Sequence, residues 1–191
     1  MGLTQPPTPY NQWIGTNAKQ QRRFNMLNTQ VYVGTYHKYN NGSLKGIRLD
    51  LGDYVDSDDF FEACHKFHSD EHSPEFMFQD YEDIGGLISE SHIDPKIWEV
   101  LELSPDEQEV IFLYATIESI TNLELEDITQ RFRGTYKTDI DFTEEHYYER
   151  HGDYVEEAVR LGICIDWEVT WNSWLRHDFI SIPHNSENWY F

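Results

Sequence analysis

Acids and bases divide this chain unevenly, and the division limits what it can fold into and what it can bind. Residues 1–49 hold six bases (Lys19, Arg22, Arg23, Lys38, Lys45 and Arg48) and no acid. From Asp50 to Phe191 there are 35 acids against 8 bases, an excess of 27. The acids do not form a tail. No run reaches five like charges, and they alternate with apolar and aromatic residues, the latter 15% of the chain. That mixture describes a folded object with a charged skin rather than a disordered acidic segment. Such a skin repels the phosphates of nucleic acid and the headgroups of an anionic membrane, so neither is expected as a direct partner. A basic partner fits, and so does a charge that only solubilises.

Two cysteines, Cys64 and Cys164, provide no disulfide framework and suit a reducing cytoplasm. The longest apolar stretch, Val110 to Ile117, is too short to span a bilayer. The opening MGLTQPPTPY lacks the basic-then-apolar order of a secretory leader, so a cytoplasmic location is expected.

Along the chain, residues 1–28 are rich in Pro, Gln, Asn and Thr without periodicity and read as a basic, disordered or loosely docked tail. Val31 to Tyr36 has the β-branched and aromatic content of a strand. Asn40-Asn41-Gly42-Ser43 marks a turn, and Leu44 to Leu51 a second strand. Ser57 is placed to cap a helix with Phe60, Phe61, Cys64 and Phe67 on one face. Phe76 to Tyr81 reads as a third strand. Helix starts follow at Asp94-Pro95 and at Ser104-Pro105-Asp106-Glu107, where Ser104 and Glu107 have capping-box spacing. Further helices are expected over Leu125–Phe132, Phe142–Arg150 and Trp167–Leu175, with closing strands at Phe179–Ile182 and Trp189–Phe191. The expected architecture is α+β: an α+β domain over 29–93, a helical middle over 94–127 and a second α+β domain over 128–191. Three small pieces in a row predict an elongated molecule.

Few constellations suggest chemistry. Cys64, His65, His68 and His72 have zinc-ligand types within nine residues, but the helix face needs Cys64 as core and no second cluster completes a set. Asp139-x-Asp141 opens like a calcium loop, yet the positions for Gly and the closing Glu hold Glu144 and Arg150. Pro74-Glu75 with Asp94-Pro95-Lys96 loosely resembles a metal-dependent nuclease pattern, with Pro95 disfavouring the strand it needs. No phosphate loop, nucleophile elbow or Cys/His catalytic spacing occurs. No enzyme and no cofactor is expected.

What remains is the acidic surface itself. Its candidates are Asp56, Asp58, Asp59, Glu62, Asp70, Glu71, Glu75, Asp80, Glu82 and Asp83 in the first domain, and Glu99, Glu102, Asp106, Glu107, Glu109, Glu124, Glu126 and Asp127 in the middle. Asp139, Asp141, Glu144, Glu145 and Glu149 continue it. Duplex DNA carries about one charge per ~1.7 Å of axis, so an excess of 27 matches roughly 45 Å of duplex. The magnitude permits a phosphate mimic. The carboxy-terminal Trp167, Trp171 and Trp174 exceed what one thin domain buries.

Several runs carry a family resemblance. Val31-Tyr32-Val33-Gly34-Thr35-Tyr36-His37-Lys38-Tyr39-Asn40-Asn41-Gly42-Ser43-Leu44-Lys45-Gly46 resembles the opening of the ArdA antirestriction proteins. Phe60-Phe61-Glu62-Ala63-Cys64, Glu75-Phe76-Met77-Phe78-Gln79-Asp80-Tyr81-Glu82, Ser89-Glu90-Ser91-His92-Ile93, Phe132-Arg133-Gly134-Thr135-Tyr136 and Trp174-Leu175-Arg176-His177-Asp178 are similar to later family segments. The resemblance spans about residues 30–182. It implies a non-enzymatic inhibitor of type I restriction–modification enzymes, carried by mobile elements and phages and acting in the bacterial cytoplasm. It also implies a curved, three-domain homodimer that imitates bent B-form DNA in the groove of the methyltransferase core formed by specificity and modification subunits. The family's short acidic antirestriction segment, near the subunit interface, is expected around Asp153 to Asp166, with Tyr154, Glu156 and Glu157 as candidates. The implied dimer puts Trp167, Trp171 and Trp174 at that interface in the last third. Two other readings compete: an acidic inhibitor of a different DNA-binding or defence protein, and a metal-dependent hydrolase.

Overall fold

The computed structural model describes residues 29–191, so the expected basic tail, 1–28, lies outside the described residues. The described chain forms two compact units that divide between Thr129 and Gln130.

In the first unit, strand β1 (Gln30–Thr35) is the middle of an antiparallel sheet ordered β2-β1-β3, where β2 is Ile47–Asp50 and β3 is Phe76–Gln79. Val33 pairs with Ile47 on one side and Phe78 on the other. Val31 and Val33 are fully buried, as central-strand residues with helices packed above them should be. Where the sequence suggests strand through Tyr36, the chain instead turns into helix α1 (Tyr36–Asn40), which the sequence reading lacks. Thr35 caps it, its hydroxyl accepting from the Lys38 N–H at 3.2 Å. The expected strand over 44–51 shortens to β2. At Gly46 the backbone passes so close to β1 that a Cβ would lie 2.5 Å from the Val33 carbonyl oxygen.

Helix α2 (Ser57–Phe67) packs on this sheet. Its cap is Asp56 rather than Ser57: the Asp56 carboxylate accepts from the Asp59 N–H at 2.9 Å. Phe60 and Cys64 are buried, with Phe60 against Phe78 and Trp98. A small hairpin, β4 (Ile88–Ser89) and β5 (His92–Ile93), leads into α3 (Lys96–Glu102) and α4 (Pro105–Ala115). The Ser104/Glu107 capping box of α4 forms as expected. The Trp98 indole N–H donates to the Leu51 carbonyl at 3.2 Å and the ring packs on Phe60, so α3 shares a core with the first sheet. Helix α5 (Leu125–Arg131) follows.

The second unit holds β6 (Gly134–Tyr136), the long helix α6 (Asp139–Arg160), α7 (Trp167–Ser173), β7 (Ser181–His184) and β8 (Glu187–Tyr190). The strands form an antiparallel sheet ordered β6-β8-β7. Its core is Phe142, Trp171, Leu175 and Tyr190, with Phe142 stacked on Tyr190 at 4.0 Å. The sequence places a helix only to Arg150, but α6 breaks at His151 (φ −137°, ψ 26°) and then resumes for another two turns. No helix among the described residues is long and apolar enough to cross a membrane.

Candidate functional site

The acids decorate the ends and outer faces of the helices. Asp56, Asp58, Asp59 and Glu62 ring the start of α2, where negative charge complements the helix dipole and free N–H groups. Asp70, Glu71 and Glu75 lie on the loop after it, and Asp80, Glu82 and Asp83 on the loop after β3. Glu99 and Glu102 belong to α3, Asp106, Glu107 and Glu109 to α4, and Glu124, Glu126 and Asp127 to the start of α5. Asp139, Asp141, Glu144, Glu145 and Glu149 occupy α6 before its break. All of these are exposed except Glu71, Glu107, Glu109 and Asp139, which are half-buried.

Several carboxylates have internal duties that sequence alone does not separate from surface display. Asp83 accepts from the Gly86 and Ile88 N–H groups at 3.1 Å and holds the Gly85-Gly86 loop. Glu107 accepts from Ser104, closing the capping box. Asp139 accepts from the buried Tyr190 hydroxyl. Asp141 accepts from the Thr138 hydroxyl. Asp80 pairs with Arg48 at 2.7 Å.

A different arrangement runs along α6. Asp141, Glu145 and Glu149 are four residues apart, so they share one face with a rise of about 6 Å between neighbours. Like charges at this spacing disfavour an isolated helix. Burial, and then the Glu149 charge, push the Glu145 carboxyl above its ordinary value. Burial and both glutamates push the neighbouring Tyr136 phenol up to about 12. Among the described residues, no ion pair with a base relieves this repulsion.

The break in α6 opens a groove of about 430 Å³ between α6 and α7, lined by Tyr147, His151, Tyr154, Trp167 and Trp174 among others. Trp174 is 68% exposed and Tyr154 78%. Trp167 is half-buried, and Asp153 and Glu156 are exposed beside it while Glu157 pairs with Arg160. Trp171 faces the other way, into the core with Phe142 and Tyr190, so its bulk is used for packing and not for a surface. Val159, Leu161, Ile163 and Val169 are also exposed.

The metal-like residues do not assemble as ligands. Cys64 is buried and its thiol is pushed up to about 12 by burial, while His65 and His72 are exposed. Among the described residues, donor atoms of His68, Asp70 and Glu71 come within 4.8 Å of one another. The Lys38 ammonium already bonds to all three. Just before α3, the Asp94 carboxylate accepts from the Lys96 N–H at 2.9 Å. The Lys96 ammonium donates to the carbonyls of Ile120, Thr121 and Leu123 at 2.7–3.2 Å. Asp94 and Lys96, two of the three charged residues of the nuclease-like pattern, therefore have structural work. The Lys38 cluster and the break at His151 are, with helix α1 and the β4–β5 hairpin, among the features the sequence does not announce. A basic residue in an otherwise acid-free segment was the available signal for the first, and His151-Gly152 for the second.

The family described as antirestriction protein (ArdA) matches residues 31–185. No curated protein and no solved structure matches the chain.

Proposed function

The chain belongs to the ArdA antirestriction family, and from that premise we propose that its acidic surface stands in for bent B-form DNA in the groove of a type I restriction–modification enzyme. The family match over 31–185 carries this reading, and the exposed carboxylates on the outer helix faces support it. Carboxylates take the phosphate positions against lysines and arginines of the methyltransferase core, formed by its specificity and modification subunits. Inhibition is then competitive, because protein and DNA cannot fill the groove together. The protein is an inhibitor rather than an enzyme, acting in the bacterial cytoplasm where mobile elements and phages meet restriction.

A three-domain homodimer belongs to the same proposal. The aromatic groove with Tyr154, Trp167 and Trp174 is an apolar surface available for the second copy, and Asp153, Glu156 and Glu157 flank its lining residues Tyr154 and Val155 in sequence. Assembly there extends the acidic surface over two chains, about twice the length of duplex one chain can match.

The test is co-purification with a type I methyltransferase core, with duplex DNA as competitor. Retention that DNA of any sequence displaces in proportion to its concentration is expected, since carboxylates copy phosphates and carry no base code. No retention, or retention unaffected by excess duplex, removes the competitive mechanism. Light scattering of the free protein at micromolar concentration checks the assembly, and a mass near the 22.7 kDa of one chain removes the dimer.

A further inference from the structure

Helix α1 carries one base in its middle, Lys38, and buries it: the residue is only 8% exposed. A buried ammonium needs an acceptor for each of its protons. Lys38 Nζ has three, His68 Nδ1 at 2.8 Å, Asp70 Oδ1 at 2.8 Å and Glu71 Oε1 at 2.9 Å. The Thr35 hydroxyl donates to the same Glu71 carboxylate at 2.7 Å. These bonds join the end of β1 and all of α1 to the loop that follows α2. They fall 30 or more residues apart in sequence, so they are tertiary ties and not local caps.

His68 completes the arrangement and restricts it. The ring is fully buried, and its Nε2 lies 3.2 Å from the Val33 carbonyl oxygen. A carbonyl only accepts, so Nε2 must carry the hydrogen. Nδ1 faces an ammonium, which only donates, so Nδ1 must be bare. One neutral tautomer satisfies both contacts. A proton on Nδ1 would set two donors and two positive charges against each other at 2.8 Å.

We infer that Lys38 and His68 are positioning residues for the acidic 68–75 loop, forming a clasp that closes only while the His68 ring is neutral. The clasp stands on its own geometry; its effect on target binding rests on the DNA-mimic reading. The charged groups facing the ring are Lys38 from α1 and Asp70 and Glu71 from its own loop. His37 lies beyond Glu71, and Lys45, from the turn before β2, sits 3.6 Å from Asp70. The rings of Phe67 and Phe76 close the remaining sides. Burial first, and then the Lys38 charge, hold His68 below its ordinary value, against the Val33 carbonyl and the two carboxylates, which favour a charged ring. Lys38 itself stays charged: burial opposes its charge, and the bonds to Asp70 and Glu71 more than offset that.

The consequence falls on three candidate surface acids. Asp70, Glu71 and Glu75 sit on this one loop, whose far end is held by the Tyr36 N–H donating to the Glu75 carbonyl at 3.0 Å. With the clasp open, their carboxylates lose a fixed position.

Amide hydrogen exchange on the full-length protein tests the clasp without a partner. It compares wild type, His68→Gln and Lys38→Met from pH 5 to 8, corrected for intrinsic exchange. Glutamine can accept from Lys38 through Oε1 and donate to Val33 through Nε2, with no proton to gain. Wild-type protection over 68–75 should fall as pH drops below the ordinary histidine value of 6.5, by up to about tenfold per pH unit. His68→Gln should stay protected across the range, and Lys38→Met should be unprotected at every pH. The same pH profile in wild type and His68→Gln, or full protection in Lys38→Met, overturns the clasp. An NMR titration of the wild-type ring covers the case of variants that do not fold. Titration below the ordinary value with bare Nδ1 supports the clasp, and ordinary titration or a hydrogen on Nδ1 overturns it. Binding to a methyltransferase core is measured on the same samples. Intact clasp behaviour with no such binding counts against the mimic reading and leaves the clasp standing.

Discussion

At the scale of single residues, burial sets the chemistry of the two cysteines apart. Cys64 lies on the buried face of α2 with no exposed surface, and its thiol is pushed up to about 12, so the reactive thiolate is scarce at neutral pH. Cys164 is exposed. A thiol reagent should therefore label one cysteine per chain in the native protein and two after denaturation. Two fast native thiols would contradict the packing of α2. The depressed groups of the clasp give the pH dependence of stability a direction. The contribution of His68 is complete above 6.5 and is lost as pH falls through its lower folded value. Asp70, held below its ordinary 3.8 by the bond from Lys38, keeps its contribution until more acid pH. Glu71 follows it, since the bonds from Lys38 and Thr35 outweigh the cost of its burial.

At the scale of elements, local signals were legible where they satisfy backbone groups nearby. Ser104 and Glu107 announce α4 because the two residues cap each other's N–H groups. Ser104→Ala should cost about 1 kcal/mol in chemical denaturation, and an unchanged midpoint would mean the cap contributes nothing. The β-branched and aromatic content from Val31 gives β1, although the strand ends at Thr35 rather than Tyr36. Helix α1 was illegible. Five residues, Tyr36–Asn40, cannot nucleate alone, and what holds them is Lys38 reaching a loop 30 residues away. The long helix α6 was half legible. His151-Gly152 does mark a break, but tertiary contact restarts the helix, and Val155 beyond it is buried. The surface candidates were legible as a class and not individually. Composition cannot tell a capping carboxylate such as Asp56 or Asp83 from a displayed one such as Glu149. The tryptophans show the same limit: Trp171 is core and Trp174 surface, three residues apart.

At the scale of the whole molecule, charge that serves binding and charge that serves folding make opposite predictions, and the structure shows where to separate them. Glu107 and Asp141 are poor probes, because each belongs to a helix cap and its loss would confound stability with binding. Glu144, Glu145 and Glu149 are better. They are exposed on α6, and Glu145 and Glu149 repel each other one turn apart. Exposed charge pairs contribute little singly, so Glu149→Gln alone should weaken binding by well under ~1 kcal/mol. Replacing all three with glutamine should weaken it several-fold at low salt. It should leave the melting temperature unchanged or slightly raised, because like-charge neighbours at this spacing cost an estimated ~0.2–0.5 kcal/mol per pair. Raising ionic strength should reduce wild-type binding steeply and shrink the difference between wild type and the triple variant. Screening acts on the charges that distinguish them, and counterions released on binding are taken up again. The two measurements, affinity across salt and thermal stability, together decide the matter. A triple variant that is less stable and binds normally would assign these acids to the fold. Loss of all inhibition from one carboxylate, with the rest silent, is the behaviour of an active site and would end the mimic reading.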